Sequence, residues 1–302
     1  MKNIFILLTI LSLVGCKESN QNSGKLNVVT TTTMITDLVK NIGGDAIALN
    51  GLMGSGIDPH LYKASQGDFR KLNDADVIFY NGLHLEGKLV DVFEKMNRQG
   101  ITTIPISDGI DKNTLIGSAY FASNYDPHIW FDIAYWKTIT GFVTDKLAEL
   151  DPVNAAIFKA NRDKYLKQLD ALQTELTLKV NELPIEKRIL VTAHDAFNYY
   201  GRTFDFEVVG LQGLSTATEA GVKDVQRITQ FIIEHDIKAI FIESSVPRRT
   251  VEALKAAVNA QGHEVKIGGE LYSDALGSDG TVEGTYIGMY QHNVQTIINA
   301  LK

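Results

Sequence analysis

The sequence predicts an α/β protein of two lobes, each built on a mainly parallel sheet flanked by helices, joined by one long rigid helix. Two patterns and a length lead to this. Short apolar runs alternate with amphipathic stretches in the first half of the chain and again in the last third, the pattern of parallel strands with crossover helices. Between them, residues 153–183 contain neither Gly nor Pro, and Ile157, Tyr165, Leu166, Leu169, Leu172, Leu176 and Val180 recur at helical spacing with charges interspersed. The 302 residues suffice for two domains, and 44% hydrophobic with 22% charged residues is an ordinary globular composition that excludes a largely disordered chain.

Taken in order, the N-terminus is a targeting segment. Met1-Lys2-Asn3 is a short cationic start, and residues 4–14 are almost unbroken apolar, too short to span a bilayer but suited to a signal peptide. The run ends in Leu13-Val14-Gly15-Cys16, which resembles a bacterial lipobox, and Cys16 is the only cysteine. The expected organisation is a signal peptide at 1–15, a lipidated tether at 16–24, an N-terminal lobe at 25–150, a linking helix at 151–184 and a C-terminal lobe at 185–302. One cysteine permits no intrachain disulfide and no thiolate-based zinc site. After cleavage 28 basic residues face 36 acidic ones, a net of −8, which argues against a nucleic-acid partner. The reading is a monomer outside the cytoplasm, held at the membrane by the lipid on Cys16.

In the first lobe, strands are expected over 26–31, 46–53, 76–81 and 101–106, and helices over 34–42, 65–74 and 85–97. A loop of about twenty residues follows, long enough to suggest function. A helix over 132–150 leads to Asp151-Pro152, with Pro152 in a first-turn position, and a linking helix over 153–183. Some thirty residues would extend about 45 Å. The second lobe offers strands over 188–192, 206–211, 238–243 and 265–268, and helices over 222–235, 248–259 and 286–301.

The tripeptide Asp-Pro-His occurs twice, in Asp58-Pro59-His60-Leu61-Tyr62 and Asp126-Pro127-His128-Ile129-Trp130, each time followed by an aliphatic and then an aromatic residue. Proline fixes its own φ and holds the preceding residue extended, so each histidine leaves a stiff turn in a defined direction. Neutral imidazole is the commonest nitrogen ligand for metals. In open α/β sheets ligands bind beyond the carboxyl ends of the strands. His60, His128, His194 and Asp274 all fall there, two from each lobe. Together they make a four-coordinate set for a divalent transition metal. Asp279 and Glu283 compete with Asp274, whose position after a strand favours it. His84, in Asn81-Gly82-Leu83-His84-Leu85-Glu86, reads as a cleft-lining or supporting residue. His235, His263 and His292 read as solvated or hydrogen-bonded. Asp195, beside His194, reads either as a carboxylate that orients an imidazole or as the cap of a helix starting at Ala196.

These motifs, with Ser215-Thr216-Ala217-Thr218-Glu219-Ala220-Gly221 and Leu271-Tyr272-Ser273-Asp274-Ala275-Leu276-Gly277, give a resemblance over nearly the whole mature chain. It resembles the zinc- and manganese-binding solute-binding lipoproteins of ATP-driven metal importers, a group also described as adhesin-like. The resemblance implies two α/β lobes joined by a rigid helix, metal at their interface on the same four residues, Zn2+ or Mn2+ as transported ligand, and delivery to an ABC-type permease. Many zinc-dedicated members carry a His-rich loop before the second motif, whereas residues 107–125 contain no histidine. Manganese-dedicated members often have glutamate where this chain has His194. The competing readings are an envelope metalloenzyme and an adhesin with a structural metal. Four ligands leave no open position for a catalytic water, which argues for capture and against an enzyme.

Overall fold

The structure, a computed structural model, describes residues 24–302. The signal peptide, Cys16 and all of the expected tether except Gly24 lie outside the described residues. Four strands, β1 (Leu26–Thr30), β2 (Ile47–Gly51), β3 (Val77–Tyr80) and β4 (Thr102–Pro105), form a parallel sheet in the order β2-β1-β3-β4. Its helices are α1 (Thr33–Gly43), α2 (Gln66–Asn73), α3 (Val90–Arg98) and α4 (Ile133–Leu150). Period-two alternation sorts the strand residues between two faces. Val28, Val77 and Phe79 pack with the apolar sides of α1 and α4, while Val29 and Ile78 pack with Leu72, Phe93 and Met96 of α2 and α3.

After the connecting helix α5 (Ala155–Val180), the second lobe holds β5 (Ile189–His194), β6 (Glu207–Gln212), β7 (Ala239–Glu243) and β8 (Lys266–Leu271). These pair in parallel as β5-β6 and β7-β8, with β5 lying beside β7. The spatial order β6-β5-β7-β8 therefore repeats that of the first lobe. Around them lie α6 (Asn198–Phe204), α7 (Val222–Glu234), α8 (Arg249–Ala260) and α9 (Tyr286–Leu301). No helix among the described residues is long and apolar enough to cross a membrane.

Several element bounds differ from expectation for local reasons. Pro152 sits in a turn rather than in the first turn of α5. The Asp151 carboxylate accepts from Asn154 N at 3.3 Å and Nδ2 at 2.7 Å, and this closes a turn that delays the helix to Ala155. The helix stops at Val180, where the Arg188 guanidinium takes up the carbonyls of Leu183 (3.1 Å), Phe204 (3.0 Å) and Val180 (3.4 Å). Its 26 residues span about 39 Å. Helix α3 begins at Val90, not 85, because Leu83 and His84 take left-handed φ values of 51° and 63°. Strand β5 continues to His194, and β8 runs to Leu271 past a bulge that skips Gly268. A Cβ on Gly268 would stand 2.8 Å from the Phe241 ring, so the bulge tolerates little else there.

One apolar core crosses from lobe to lobe. It joins Leu38 and Ile42 of α1, Trp136 and Ile139 of α4, Tyr165 and Leu169 of α5, Phe197 and Tyr200 at α6, and Tyr286, Tyr290 and Ile297 of α9. Trp136 stacks on Tyr286 at 4.8 Å, and Phe131 lies 4.5 Å from Phe197. Burying each such ring contributes on the order of 2–3 kcal/mol. The helix is thus one wall of a joint that neither lobe completes alone.

Candidate metal centre

The strand ends of both lobes face one another. His60 lies in the loop after β2, His128 ends the long loop after β4, His194 is the last residue of β5, and Asp274 is the third residue beyond β8. One ligand-capable atom from each lies within 4.8 Å of the others, the only such group of His, Cys, Asp and Glu among the described residues. The side chains are almost free of solvent, His60 being 4% exposed, His128 and His194 0%, and Asp274 1%.

Each histidine aims Nε2 inward. From the Asp274 carboxylate the separations are 3.7 Å for His60, 3.6 Å for His128 and 3.2 Å for His194. Ligands about 2.0–2.1 Å from a tetrahedral ion stand roughly 3.3 Å apart, so the spacing suits a small cation at the centre. None of the three Nε2 atoms, nor either oxygen of Asp274, has a hydrogen-bond partner among the described residues. Buried polar atoms left so are costly, and a cation would satisfy all five at once.

Both Asp-Pro-His turns are built alike at the backbone. Asp58 Oδ1 accepts from His60 N at 2.8 Å, and Asp126 Oδ1 accepts from His128 N at 2.9 Å. In the second turn Asp126 Oδ1 also accepts from His128 Nδ1, at 2.7 Å, while its Oδ2 takes the Asn198 amide at 3.0 Å. His194 has its own carboxylate: Nδ1 donates to Glu243 Oε2 at 2.5 Å, and the backbone N donates to Oε1 at 2.9 Å. Such partners fix the tautomer that leaves Nε2 free and raise its basicity. Sequence reasoning did not single out Glu243 or assign Asp126 this role. The available signal was that Glu243 ends β7 beside the end of β5. Asp195 fills neither expected role, since Asp126 holds His128, Glu243 holds His194, and the N-cap of α6 is Phe197 without a side-chain bond.

The other candidates stand apart from this group. Asp279 is exposed and Glu283 half-buried. His235, His263 and His292 face backbone carbonyls of Phe231, Ile237 and Glu270 at 2.9, 2.9 and 3.0 Å. His84 is exposed, its ring edge-on to Phe121 at 6.2 Å, with Phe121 edge-on to His60 at 6.5 Å beyond it.

Electrostatics divide the histidines. Burial drives His60 down to about 3, against the pull of Asp274 and helped by the other imidazoles. Burial also opposes charge on His194, but Glu243 and Asp274 outweigh it and raise the imidazole well above its ordinary value. Asp274 itself, which burial alone would raise, is brought below the usual carboxylate range by His194 first and then His60 and His128. Two carboxylates around His194 demand a positive charge, which a proton supplies when no metal does.

Comparison with known proteins gives consistent matches. Residues 28–300 match the family described as zinc-uptake complex component A, periplasmic. The chain is 48% identical over 292 residues to the zinc-binding protein TroA of Treponema pallidum, covering 95% of this chain and 92% of that protein. It is 43% identical over 300 residues to the manganese-binding lipoprotein MntA of Bacillus subtilis, covering 98% and 97%. The solved structure of the periplasmic zinc-binding protein TroA from Treponema pallidum superimposes with a TM-score of 0.89, covering 92% of this chain and 99% of that one.

Proposed function

The chain belongs to the family of zinc-uptake complex component A, and from that premise we propose that it captures a divalent transition metal outside the cytoplasm and delivers it to an ATP-driven importer in the membrane. The observation that carries this reading is the convergence of five unpartnered buried ligand atoms from both lobes. His60, His128 and His194 bind through Nε2, and Asp274 through one or both oxygens. Asp126 and Glu243 orient two of the imidazoles. Similarity to a zinc-binding TroA and a manganese-binding MntA supports Zn2+ or Mn2+ as cargo. Three imidazoles favour zinc, whereas a fifth donor from Asp274 suits the higher coordination and oxygen preference of manganese.

The same reading makes the protein a carrier and not an enzyme, since the four residues enclose the ion and leave no side for a reacting water. It divides the chain into a signal peptide at 1–15, a tether at 16–24 lipidated on Cys16, lobes at 25–150 and 185–302, and a linking segment at 151–184, acting as a monomer. The lipoprotein names among its relatives support the anchor.

Metal analysis of protein isolated from its native envelope tests the reading. One zinc or manganese per chain is expected, with binding lost in Asp274→Ala while the circular dichroism spectrum is kept. Full occupancy in that variant would overturn the ligand set. Labelling with radioactive palmitate that survives in Cys16→Ser would overturn lipidation at Cys16.

A further inference from the structure

Of the three histidines, His60 alone has no carboxylate on its Nδ1 among the described residues. In this turn Asp58 Oδ1 takes only the backbone N–H of His60, and Oδ2 accepts a 2.5 Å hydrogen bond from Thr216 Oγ1 of the opposite lobe. We propose that Thr216 is a positioning residue that latches the His60 turn shut across the cleft, so that metal leaves on the His60 side.

The inference rests on reading His60 as a ligand, and three observations carry it. First, Thr216 is the one buried residue in the loop from 213 to 221, whose other members are exposed or half-buried. Its hydroxyl does not close that loop but reaches out to Asp58, some 158 residues away in the chain. Second, among the described residues this is the single hydrogen bond that ties the turn to the other lobe. One carboxylate thereby does two jobs, Oδ1 setting the path of the backbone into His60 and Oδ2 holding that backbone in place. Third, the residues that flank the turn lie outside the core, with only Pro59 and His60 buried between them. Ile57 and Leu61, on either side of Asp58 and His60, are 39% and 48% exposed. The second turn differs, for Ile129 and Trp130 are fully packed.

Stopped-flow transfer of zinc from the loaded mature protein to a chelator in excess is the test. Losing a hydrogen bond to a charged acceptor should speed release about 10–100-fold in both Thr216→Ala and the nearly isosteric Thr216→Val. Thr216→Ser, which keeps the hydroxyl, should stay within about threefold of the wild type. Melting of the metal-free variants serves as the second readout and should fall only by the loss of one hydrogen bond to the half-buried Asp58, so that faster release is not the result of general unfolding. Wild-type release from Thr216→Val would overturn the latch, and so would release from Thr216→Ser as fast as from Thr216→Ala. His60→Ala separates the two levels. If it still holds one zinc per chain, the ligand reading itself fails. If it loses the ion while Thr216→Val releases normally, only the latch does.

Discussion

In both Asp-Pro-His turns the aspartate gathers the histidine backbone N–H, yet the rest of each turn is treated in opposite ways. Around His128, Asn81 donates to the Pro127 carbonyl, Tyr199 to that of Asp126, Tyr286 to that of Trp130 and Tyr290 to that of Phe131, while the Trp130 indole donates to Ser273 beside Asp274. All but the first of these reach the second lobe. Around His60, among the described residues, only Thr216 crosses, and Tyr62 turns back to Leu52 and Asp68 within its own lobe. On the proposed reading, the same tripeptide supplies a ligand fixed before the ion arrives and a ligand that completes the shell afterwards. A local motif sets the direction in which a side chain leaves the backbone. Its neighbours decide whether it can leave the site.

The largest effects should come from the ligands themselves. His60→Ala and His128→Ala should each weaken metal binding more than about a hundredfold, beyond what outer partners cost. Only His128→Ala should also lower the melting temperature of the metal-free protein, because Asp126 then loses a buried donor. Equal thermal losses in both would break the contrast between the turns. Next in size, Asp126→Asn and Glu243→Gln should each cost about 10–100-fold in affinity measured by competition with a chelator. An affinity within twofold of the wild type in either would mean that orientation of Nδ1 is unimportant here.

The pH dependence sharpens the comparison further. His60, held near 3, carries no proton that competes with metal above about pH 4, whereas His194, raised well above its ordinary value, does so at neutrality. Binding at pH 7 should release about one proton, and affinity should rise about tenfold per pH unit there. Calorimetry in buffers of different ionisation enthalpy measures this, and release of no proton would refute the assignment. The sign for folding is separate. A raised His194 stabilises the metal-free fold fully below about 6.5, and this contribution fades as pH climbs through the folded value.

The smallest effect lies on the fixed side of the molecule, away from both turns. Asp37 on α1 accepts from Tyr286 N at the start of α9, and burial, opposed by that bond, Lys40 and Asn41, raises it to about 6. Its contribution to stability is greatest below 3.8 and is lost as pH rises through about 6. Asp37→Asn should remove that loss, gaining at most about 2 kcal/mol at pH 7.5 relative to pH 4.5 in urea unfolding. Unfolding curves that keep the wild-type pH response would show that the carboxylate is not ionised at this joint.

Much of this was legible in the chain. Apolar runs such as Asp76-Val77-Ile78-Phe79-Tyr80 could only be buried strands, and the paired turns with their strand-end positions led to His60, His128, His194 and Asp274 without a local metal motif. The choice of Asp274 over Asp279 and Glu283 rested on position alone, and geometry separates them because only Asp274 faces the imidazoles. The roles of Glu243 and Thr216 were out of reach, since each acts on a partner 49 or 158 residues away and neither sits in a pattern that demands it. Helix α3 starts later than the apolar spacing predicts because Leu83 and His84 take left-handed φ in a turn whose Asn81 N and Gly82 N donate to the buried Glu86, a contact no local pattern announces. Pro152 was misplaced because a single Asp151 side chain outcompetes the preference of proline for a helix start.

The apolar core that runs through α1, α4, α5, α6 and α9 has a consequence for how the molecule comes apart. Neither half owns enough of that core to survive alone, so the protein should melt as a single calorimetric unit, with van't Hoff and calorimetric enthalpies in agreement. Occupancy of the site between the lobes is then felt as resistance to unfolding and proteolysis everywhere, and a chain cut between α4 and α5 should yield insoluble fragments instead of two working halves.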